Sequence, residues 1–266
     1  MVHQIKDRVL QIEDGFLSWT FAKTPLISER FNEFSEKREY KVRMKDIVYE
    51  IGAIIESQTN TATVVCEKRM GFTPKTDSEG QVNWFSVRDM TANSSLYINN
   101  PDTRKKTTME LVEQKVSKKS SKYLPIKKGD VLVSFKLTVG VTKIYNSDLP
   151  AYCNEAIDIL TPKEDIIRSK YLAYNAKFEY PKHGERTNNG ITLNDDHKKE
   201  IKIRLPQPTE HYSSLELQDI LIEFMDWFYD WFNNACNAID ELKVKLPNIT
   251  AVFIKKVFLG MKNSES

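Results

Sequence analysis

The stretch KKGDVLVSFKLTVGV, residues 127–141, carries the clearest strand pattern in the middle of the chain. Apolar side chains occupy every second position from Val131 to Val141, and serine, lysine, threonine and glycine lie between them. A period of two predicts a half-buried β-strand, or two strands that meet near Gly140. The residues from Lys127 to Asp130 predict the turn that leads into this strand.

Strand signals and long polar segments alternate on both sides of this stretch. Ile201, Ile203 and Leu205 alternate with charged residues, and Pro206 and Pro208 end the pattern. The polar segments at 57–83, 91–125 and 181–200 have lengths that are usual for binding loops or disordered segments. We therefore predict an α+β fold, in which one mixed α/β domain with mostly antiparallel strands covers about residues 41–206.

The first 40 residues predict a charged helical segment with one apolar face. Leu26, Phe31 and Phe34 lie among many charged residues, and Pro25 suits the first turn of a helix. We expect a surface helix that packs this face onto the domain.

The C-terminal part predicts a long helix, because residues 215–246 contain neither glycine nor proline. Ser213 or Ser214 would cap its first turn, and Pro247 would end it. About 30 residues at about 1.5 Å each give a rod about 45 Å long. Its apolar residues follow the alternating steps of three and four of a coiled coil: Leu217, Leu221, Phe224, Phe228, Trp231, Ala235, Ala238 and Leu242.

Such a seam needs a partner helix, from residues 251–259, from the N-terminal segment or from a second chain. We expect a coiled-coil-like helix over about 213–246, inside a C-terminal region of residues 207–266 that ends in a short helix.

Composition excludes several classes of protein. The three cysteines lie far apart without a CxxC motif, and the four histidines are scattered, so we expect neither a disulfide framework nor a metal site. No signal-peptide core and no membrane-spanning apolar run are present, which favours the cytoplasm. Nucleotide-binding, zinc-protease and serine-hydrolase motifs are absent, and we expect no cofactor.

One basic cluster stands out in a chain whose net charge is only +2. Residues 104–128 contain nine lysines and arginines and only two acids, with serines and threonines between them. This is the chemistry of contacts to DNA phosphates. The candidate phosphate contacts are Arg104, Lys105, Lys106, Lys118, Lys119 and Lys122. Arg186, Asn188 and Asn189 suit base edges, and Lys75 and Lys136 are further candidates for base or backbone contacts.

An alternative interpretation involves catalysis. Pro101-Asp102, followed by Glu113-Gln114-Lys115, matches the loose PD…ExK pattern of magnesium-dependent nucleases, in which two carboxylates hold the cation. The same residues also suit a solvated polar loop. A pure oligomerisation module is a third possibility, because the heptad seam alone would account for association.

Several segments, taken in order, resemble the target recognition domain of Type I restriction–modification specificity (S) subunits. They are Val42–Ile47, Phe72–Pro74, Val82–Met90, Lys128–Gly140, Asn154–Ile157, and Ile203–Pro206 leading to Leu215–Gln218. The resemblance covers about residues 41–260. In this comparison Trp84, Asp89 and Ser134 are expected to be scaffold residues, while Gly71 alone remains of a glycine-rich segment and residues 1–40 have no clear counterpart.

The resemblance implies a non-catalytic chain that reads one half of a split target in double-stranded DNA. It also implies docking to DNA adenine methyltransferase subunits, and a complex that can recruit a restriction subunit. One recognition domain and one spacer helix correspond to half of the family pattern, so we expect a homodimer through paired spacer helices and a palindromic target. The specificity chain of a Type II enzyme that fuses cutting and methylation has the same features.

Overall fold

The computed structural model describes residues 25–43, 49–54, 66–70, 82–92, 94–100, 106–107, 125–187, 190–231, 234, 237, 238, 240 and 241. The chain divides into two compact units, Met1–Leu221 and Ile222–Ser266. The described helices are α1 (Pro25–Lys37), α2 (Val87–Thr91), α3 (Ser169–Lys182), α4 (Asp195–Glu200) and α5 (residues 214–231). No described helix is both long and apolar enough to cross a membrane.

The described strands form four sheets. The strands are β1 (Tyr49–Ile54), β2 (Cys66–Met70), β3 (Val82–Phe85), β4 (Tyr97–Ile98), β5 (Lys106–Thr107), β6 (Val131–Ser134), β7 (Lys136–Leu137), β8 (Thr142–Tyr145), β9 (Ala151–Cys153), β10 (Ile157–Pro162), β11 (Glu185–Thr187), β12 (Gly190–Thr192) and β13 (Lys202–Pro206). Their orders are β2-β10-β6-β8-β4, β5-β3-β9, β11-β12-β7 and β1-β13. Among the described pairings only β3 with β9 and β4 with β8 are parallel, so the mixed, mostly antiparallel fold is confirmed.

The core lies on the central strand β6, where all four residues are buried. Leu132 belongs to an apolar cluster that includes Phe85, Met90 and Tyr145, and α3 packs against β6 and β8. Because the apolar cluster and α3 both pack against β6, its sequence is a nearly continuous run of apolar residues. The single half-buried strand over 131–141 is therefore wrong in its extent: β6 ends at Ser134, and Leu137 is exposed. The alternative of two strands that meet near Gly140 is confirmed, because β6 pairs in antiparallel register with β8 on the other side of residues 135–141.

The predicted turn before β6 is confirmed. Asp130 N donates to Lys127 O at 3.0 Å, and Lys127 N donates to Asp130 Oδ2 at 2.8 Å. The other oxygen of the buried Asp130 carboxylate accepts from Thr161 Oγ1 at 2.7 Å, which ties the turn to β10. Gly129 takes a φ of +91°, a conformation that favours glycine.

The N-terminal helix and the strand near 201–205 are also confirmed within the described residues. Pro25 begins α1, and Phe31 and Phe34 are buried. β13 pairs with β1 in antiparallel register. Residues 1–24 and 44–48 lie outside the described residues. Of the segment 42–47, which resembles the strand that opens the family's recognition domain, only Val42 and Arg43 are described, and neither belongs to a strand.

A capping box begins α5. Ser213 N and Oγ both donate to Glu216 Oε2 at 2.7 Å, and Glu216 N donates back to Ser213 Oγ at 3.3 Å. Of the two predicted caps, Ser213 is therefore the one used. The helix runs from 214 to 231, and residues 234, 237, 238, 240 and 241 are helical too. Pairing of this helix into a coiled coil stays a prediction.

Candidate nucleic-acid interface

Residues 135–141, here called the Leu137 loop, leave the central sheet between β6 and β8. The two ends of the loop meet in a tight exchange of hydrogen bonds: Ser134 N donates to Val141 O, and Gly140 N donates to Ser134 O, both at 2.9 Å. Ser134 Oγ accepts from Val141 N at 3.0 Å and donates to Thr138 O. A buried serine therefore closes the loop from inside, in agreement with its predicted scaffold role.

Gly140 seats the Leu137 loop against the end of α3. Its φ is +88°, and a Cβ atom there would lie 2.4 Å from Pro181 Cγ and 3.0 Å from the backbone oxygen of Lys177. Carbon atoms do not approach each other this closely, so the position requires glycine. The contact places the loop beside the C-terminal half of α3, where Lys177 and Lys182 are exposed.

Within the loop, β7 joins a small sheet with β12 and β11. Lys136 pairs with Thr192, Leu137 pairs with Ile191, and Ile191 pairs in turn with Arg186. Leu193 N also donates to Phe135 O at 2.9 Å. The fold thus brings two predicted DNA contacts, Lys136 and Arg186, onto one sheet although 50 positions separate them in the chain.

Two aliphatic side chains at the junction of β7 and β12 face solvent: Leu137 is 64% exposed and Ile191 is 44% exposed. Leu137 has a φ of +69°, in the left-handed region, which costs a residue other than glycine roughly 1–2 kcal/mol. Strain of this kind is concentrated at functional sites in proteins. Sequence reasoning missed Leu137, because its place in an alternating pattern indicates a core residue.

A buried ion pair supports the base of the loop. Lys198 Nζ, on α4, lies 3.2 Å from Asp158 Oδ1 on β10, and both side chains are fully buried. Tyr180 OH donates to Asp158 Oδ2 at 3.2 Å. The same ammonium group lies 3.1 Å from the centroid of the Phe135 ring, at the first residue of the loop. Buried charges are tolerated when they are paired in this way, so the network holds Phe135 in place.

A second group of cations lies on β8 and α3. Lys143 is almost fully buried and donates to Ser95 O. Burial, and to a lesser degree the nearby charge of Lys177, lower the pKa of Lys143. Lys170 Nζ lies 5.9 Å from the centroid of the Tyr97 ring. The sequence alone gives no sign that Lys143 and Lys177 lie close together, because they are distant in the chain and meet only where α3 packs against β8.

Most of the predicted DNA contacts lie outside the described residues: Lys75, Arg104, Lys105, Lys118, Lys119, Lys122, Asn188 and Asn189. Lys106 is described only in its backbone, which pairs with Asn83, and Arg186 likewise only in its strand register. Lys136 is exposed. The proposed nuclease residues Asp102, Glu113 and Lys115 are also outside this part of the chain. Among the described residues no cluster suited to a metal ion is found.

The predicted helix seam divides into two parts. Four of its residues are buried: Leu217, Leu221, Phe224 and Phe228. Trp231 is 49% exposed and Ala238 is exposed, whereas Ala235 and Leu242 lie outside the described residues. The early seam is therefore already covered within one chain, and the exposed surface begins near Trp231.

The first turns of α5 are fixed to the loop before α3. The amide of buried Gln218 donates to Ile166 O at 2.9 Å and accepts from Arg168 N at 3.0 Å. The Arg168 guanidinium binds both oxygens of Asp219 at 3.0 Å. A two-point contact between a guanidinium and a carboxylate fixes orientation as well as distance. Residues 214–221 are thus an integral part of the first unit.

One comparison with known proteins identifies a family, and another finds solved structures with a similar fold. A sequence profile described as the Type I restriction modification DNA specificity domain matches residues 55–247. A chain from a study of complex assembly and conformational transition of the type I R-M system is 16% identical, with a TM-score of 0.50 over 93% of this chain and 54% of that one. The HsdS subunit from Thermoanaerobacter tengcongensis is 17% identical, with a TM-score of 0.48 over 89% and 50%.

The chain spans about half the length of these two solved chains. At such low identity the first likeness establishes a common fold and no more. No curated protein matches the sequence.

Proposed function

The chain belongs to the family of Type I restriction modification DNA specificity domains, and from this premise we propose that it reads one half of a bipartite DNA target within a methyltransferase complex. Recognition of DNA sequence is the role of this family, and its members are non-catalytic. The chain would therefore select the DNA sequence, and partner subunits would catalyse the reaction on it.

The observation that carries the proposal is the profile match over residues 55–247, which includes both the Leu137 loop and α5. One recognition unit followed by one helix corresponds to half of a bipartite reader. The other half-site would be read by a second copy of this chain, held at a distance by the helix. Two-fold symmetry would then require a palindromic split target.

Contact with the duplex would involve the cations from the basic cluster together with the Leu137 loop. Lys136 and Arg186 support this assignment, because they belong to the same small sheet as the two exposed aliphatic residues. The phosphate contacts proposed from sequence remain Arg104, Lys105, Lys106, Lys118, Lys119 and Lys122, with Lys75, Asn188 and Asn189 as further contacts. Positive charges of this kind give affinity for the DNA backbone, and the small sheet would fix the position of the protein along the duplex.

The second copy would associate through the later part of the helix. Trp231 supports this assignment, because a large aromatic side chain with about half of its surface in water is the type of residue that anchors protein interfaces. Docking of DNA adenine methyltransferase subunits, and recruitment of a restriction subunit by the complete complex, are further parts of the proposal.

The test is co-expression of the chain with a Type I methyltransferase subunit from the same host, followed by mapping of methylated adenines across the host genome. We expect methylation at one split, palindromic sequence that disappears when the chain is omitted. The control is the methyltransferase alone. A methylation pattern that does not depend on the chain would overturn the proposal.

A further inference from the structure

We propose that Leu137 and Ile191 read thymine, by apolar contact with its 5-methyl group in the major groove. The inference rests on the proposed function and deepens it, because it assigns one base contact to two residues that sequence motifs for DNA binding do not include. Both side chains are exposed, and they are partners across the β7–β12 pairing.

Two glycines, Gly184 and Gly190, lie directly against the residues of the exposed pair. A Cβ atom at Gly184 would lie 2.6 Å from Ile191 Cγ2, so the isoleucine rests directly on this glycine. A Cβ at Gly190 would lie 3.3 Å from Leu137 O, which shows how closely the two strands approach. The two side chains therefore lie where β7, β12 and Gly184 approach one another closely, and such support is what a surface that discriminates bases needs.

Strain at Leu137 supports a functional role. A leucine at a φ of +69° is unfavourable, and glycine or asparagine would adopt this conformation more easily. The side chain gains little in return from packing, because it is 64% exposed. An exposed apolar side chain in a strained conformation is explained if it contacts a ligand.

The chemistry of thymine decides which groove receives the pair. β7 is an edge strand of the three-stranded sheet β11-β12-β7, and β-strands can read DNA from either groove. Thymine presents its methyl group only in the major groove, and apolar side chains are its natural partners. Two exposed cations near the ribbon would meet phosphates that border the groove: Lys136 on β7, and Lys177 on α3 beside the Leu137 loop.

Three acidic residues near the ribbon each lie close to a basic side chain. Glu185 on β11 lies 3.6 Å from His197 Nε2, and Glu200 lies 3.5 Å from His183 Nδ1. Glu179, on α3, is bound by Lys182 at 3.2 Å. Lys182 therefore offsets the charge of Glu179, and each imidazole offsets that of its glutamate when it is protonated.

The experiment uses the full chain bound to its methyltransferase and duplexes that carry the target mapped by adenine methylation. In one set, single thymines are replaced by deoxyuridine, which removes the methyl group and leaves all hydrogen bonds of the base pair unchanged. We expect one replacement in each half-site to weaken binding of the wild-type protein about fourfold, the effect of losing one buried methyl-sized group.

The variants Leu137→Gly and Ile191→Ala should bind the thymine duplex more weakly than wild type and should no longer distinguish thymine from deoxyuridine. Leu137→Gly suits the left-handed backbone and relieves its strain, so its melting temperature should be no lower than that of wild type, and weaker binding would then not come from unfolding. Leu149→Ala is the matched control, because this leucine is 62% exposed and lies outside the ribbon; its thymine preference should be unchanged.

Two results would overturn the inference while leaving the proposed function intact. The first is target-specific binding that no deoxyuridine replacement weakens. The second is a thymine preference that persists in both variants. Absence of any target that depends on the chain would instead remove the proposed function, and this inference with it.

Discussion

The ammonium group of Lys198 lies 3.2 Å from Oδ1 of Asp158, and neither side chain reaches solvent. The pair joins α4 to β10, and the lysine also lies against the ring of Phe135. A charge pair inside the core is costly to assemble, but it has a defined geometry that an apolar contact lacks. Here that geometry fixes the point at which the Leu137 loop leaves the central sheet.

Removal of one member of this pair should destabilise the protein severely. Lys198→Met leaves the Asp158 carboxylate buried without its cation, and we expect a loss of about 3–5 kcal/mol in the free energy of unfolding. Urea denaturation measures this loss. Lys202→Met, at an exposed lysine on β13, is the control and should change stability by less than about 0.5 kcal/mol. Equal effects of the two variants would contradict a structural role for the ion pair.

Gly140→Ala and Gly129→Ala form a matched pair of substitutions. Both glycines have a positive φ, so each alanine should cost roughly 1–2 kcal/mol in backbone strain. Only at Gly140 does the added Cβ also collide, with Pro181 Cγ, whereas at Gly129 the nearest atom is 3.5 Å away. We expect Gly140→Ala to cost about 2–5 kcal/mol in total and to abolish target binding, measured by thermal unfolding and gel shift. A smaller effect at Gly140 than at Gly129 would show that the loop does not press on α3.

Ser213→Ala should weaken the start of α5 by about 1 kcal/mol through loss of the N-cap. The hydrogen bond from the Ser213 side chain, and to a lesser degree the one from its backbone N–H, lower the pKa of Glu216. The stability from this bond is therefore present above the ordinary pKa of a glutamate and is lost as the pH falls through the lowered value. In Ser213→Ala the pKa of Glu216 should return towards normal, which an NMR titration would record. Ser214→Ala is the control, and a Glu216 pKa unchanged by Ser213→Ala would contradict the capping box.

Lys177→Gln should raise the pKa of Lys143, because one of the two causes that lower it disappears while burial remains. A lysine with a lowered pKa binds fewer protons in the folded state than in the unfolded state. Stability should therefore rise with pH in the window between the lowered value and the ordinary value of 10.5. In Lys177→Gln the pKa of Lys143 should move towards 10.5, so the pH range over which stability rises should become narrower. An NMR titration of Lys143 would measure this change in pKa. No change in that titration would mean that the two ammonium groups do not interact.

Trp231→Ala should weaken self-association if the helix pairs with a second copy. We expect the dimer dissociation constant to rise about tenfold or more, as for an aromatic interface residue, in sedimentation equilibrium. Tyr97→Ala removes an aromatic side chain of similar exposure, 42%, outside the helix and should leave association unchanged. A chain that is monomeric at all concentrations would contradict the proposed homodimer.

Local patterns in the sequence determined several features correctly. The turn at 127–130, the cap at Ser213, the helix at 25–37 and the strand that precedes Pro208 all depend on neighbouring residues, through hydrogen bonds and backbone preferences that span a few positions. The ordered motifs also identified the family. Periodicity is encoded residue by residue, so it can be recognised without knowledge of distant contacts.

Only the tertiary structure decided where the alternating stretch turns outward. Leu137 is exposed rather than buried, because Ser134 closes the loop, Gly140 meets Pro181 and β7 pairs with a strand more than fifty positions away. The Lys198–Asp158 pair likewise joins residues 40 positions apart. Contacts of this kind form when separate elements pack together, and their selection depends on the shape and charge of surfaces that no local stretch contains.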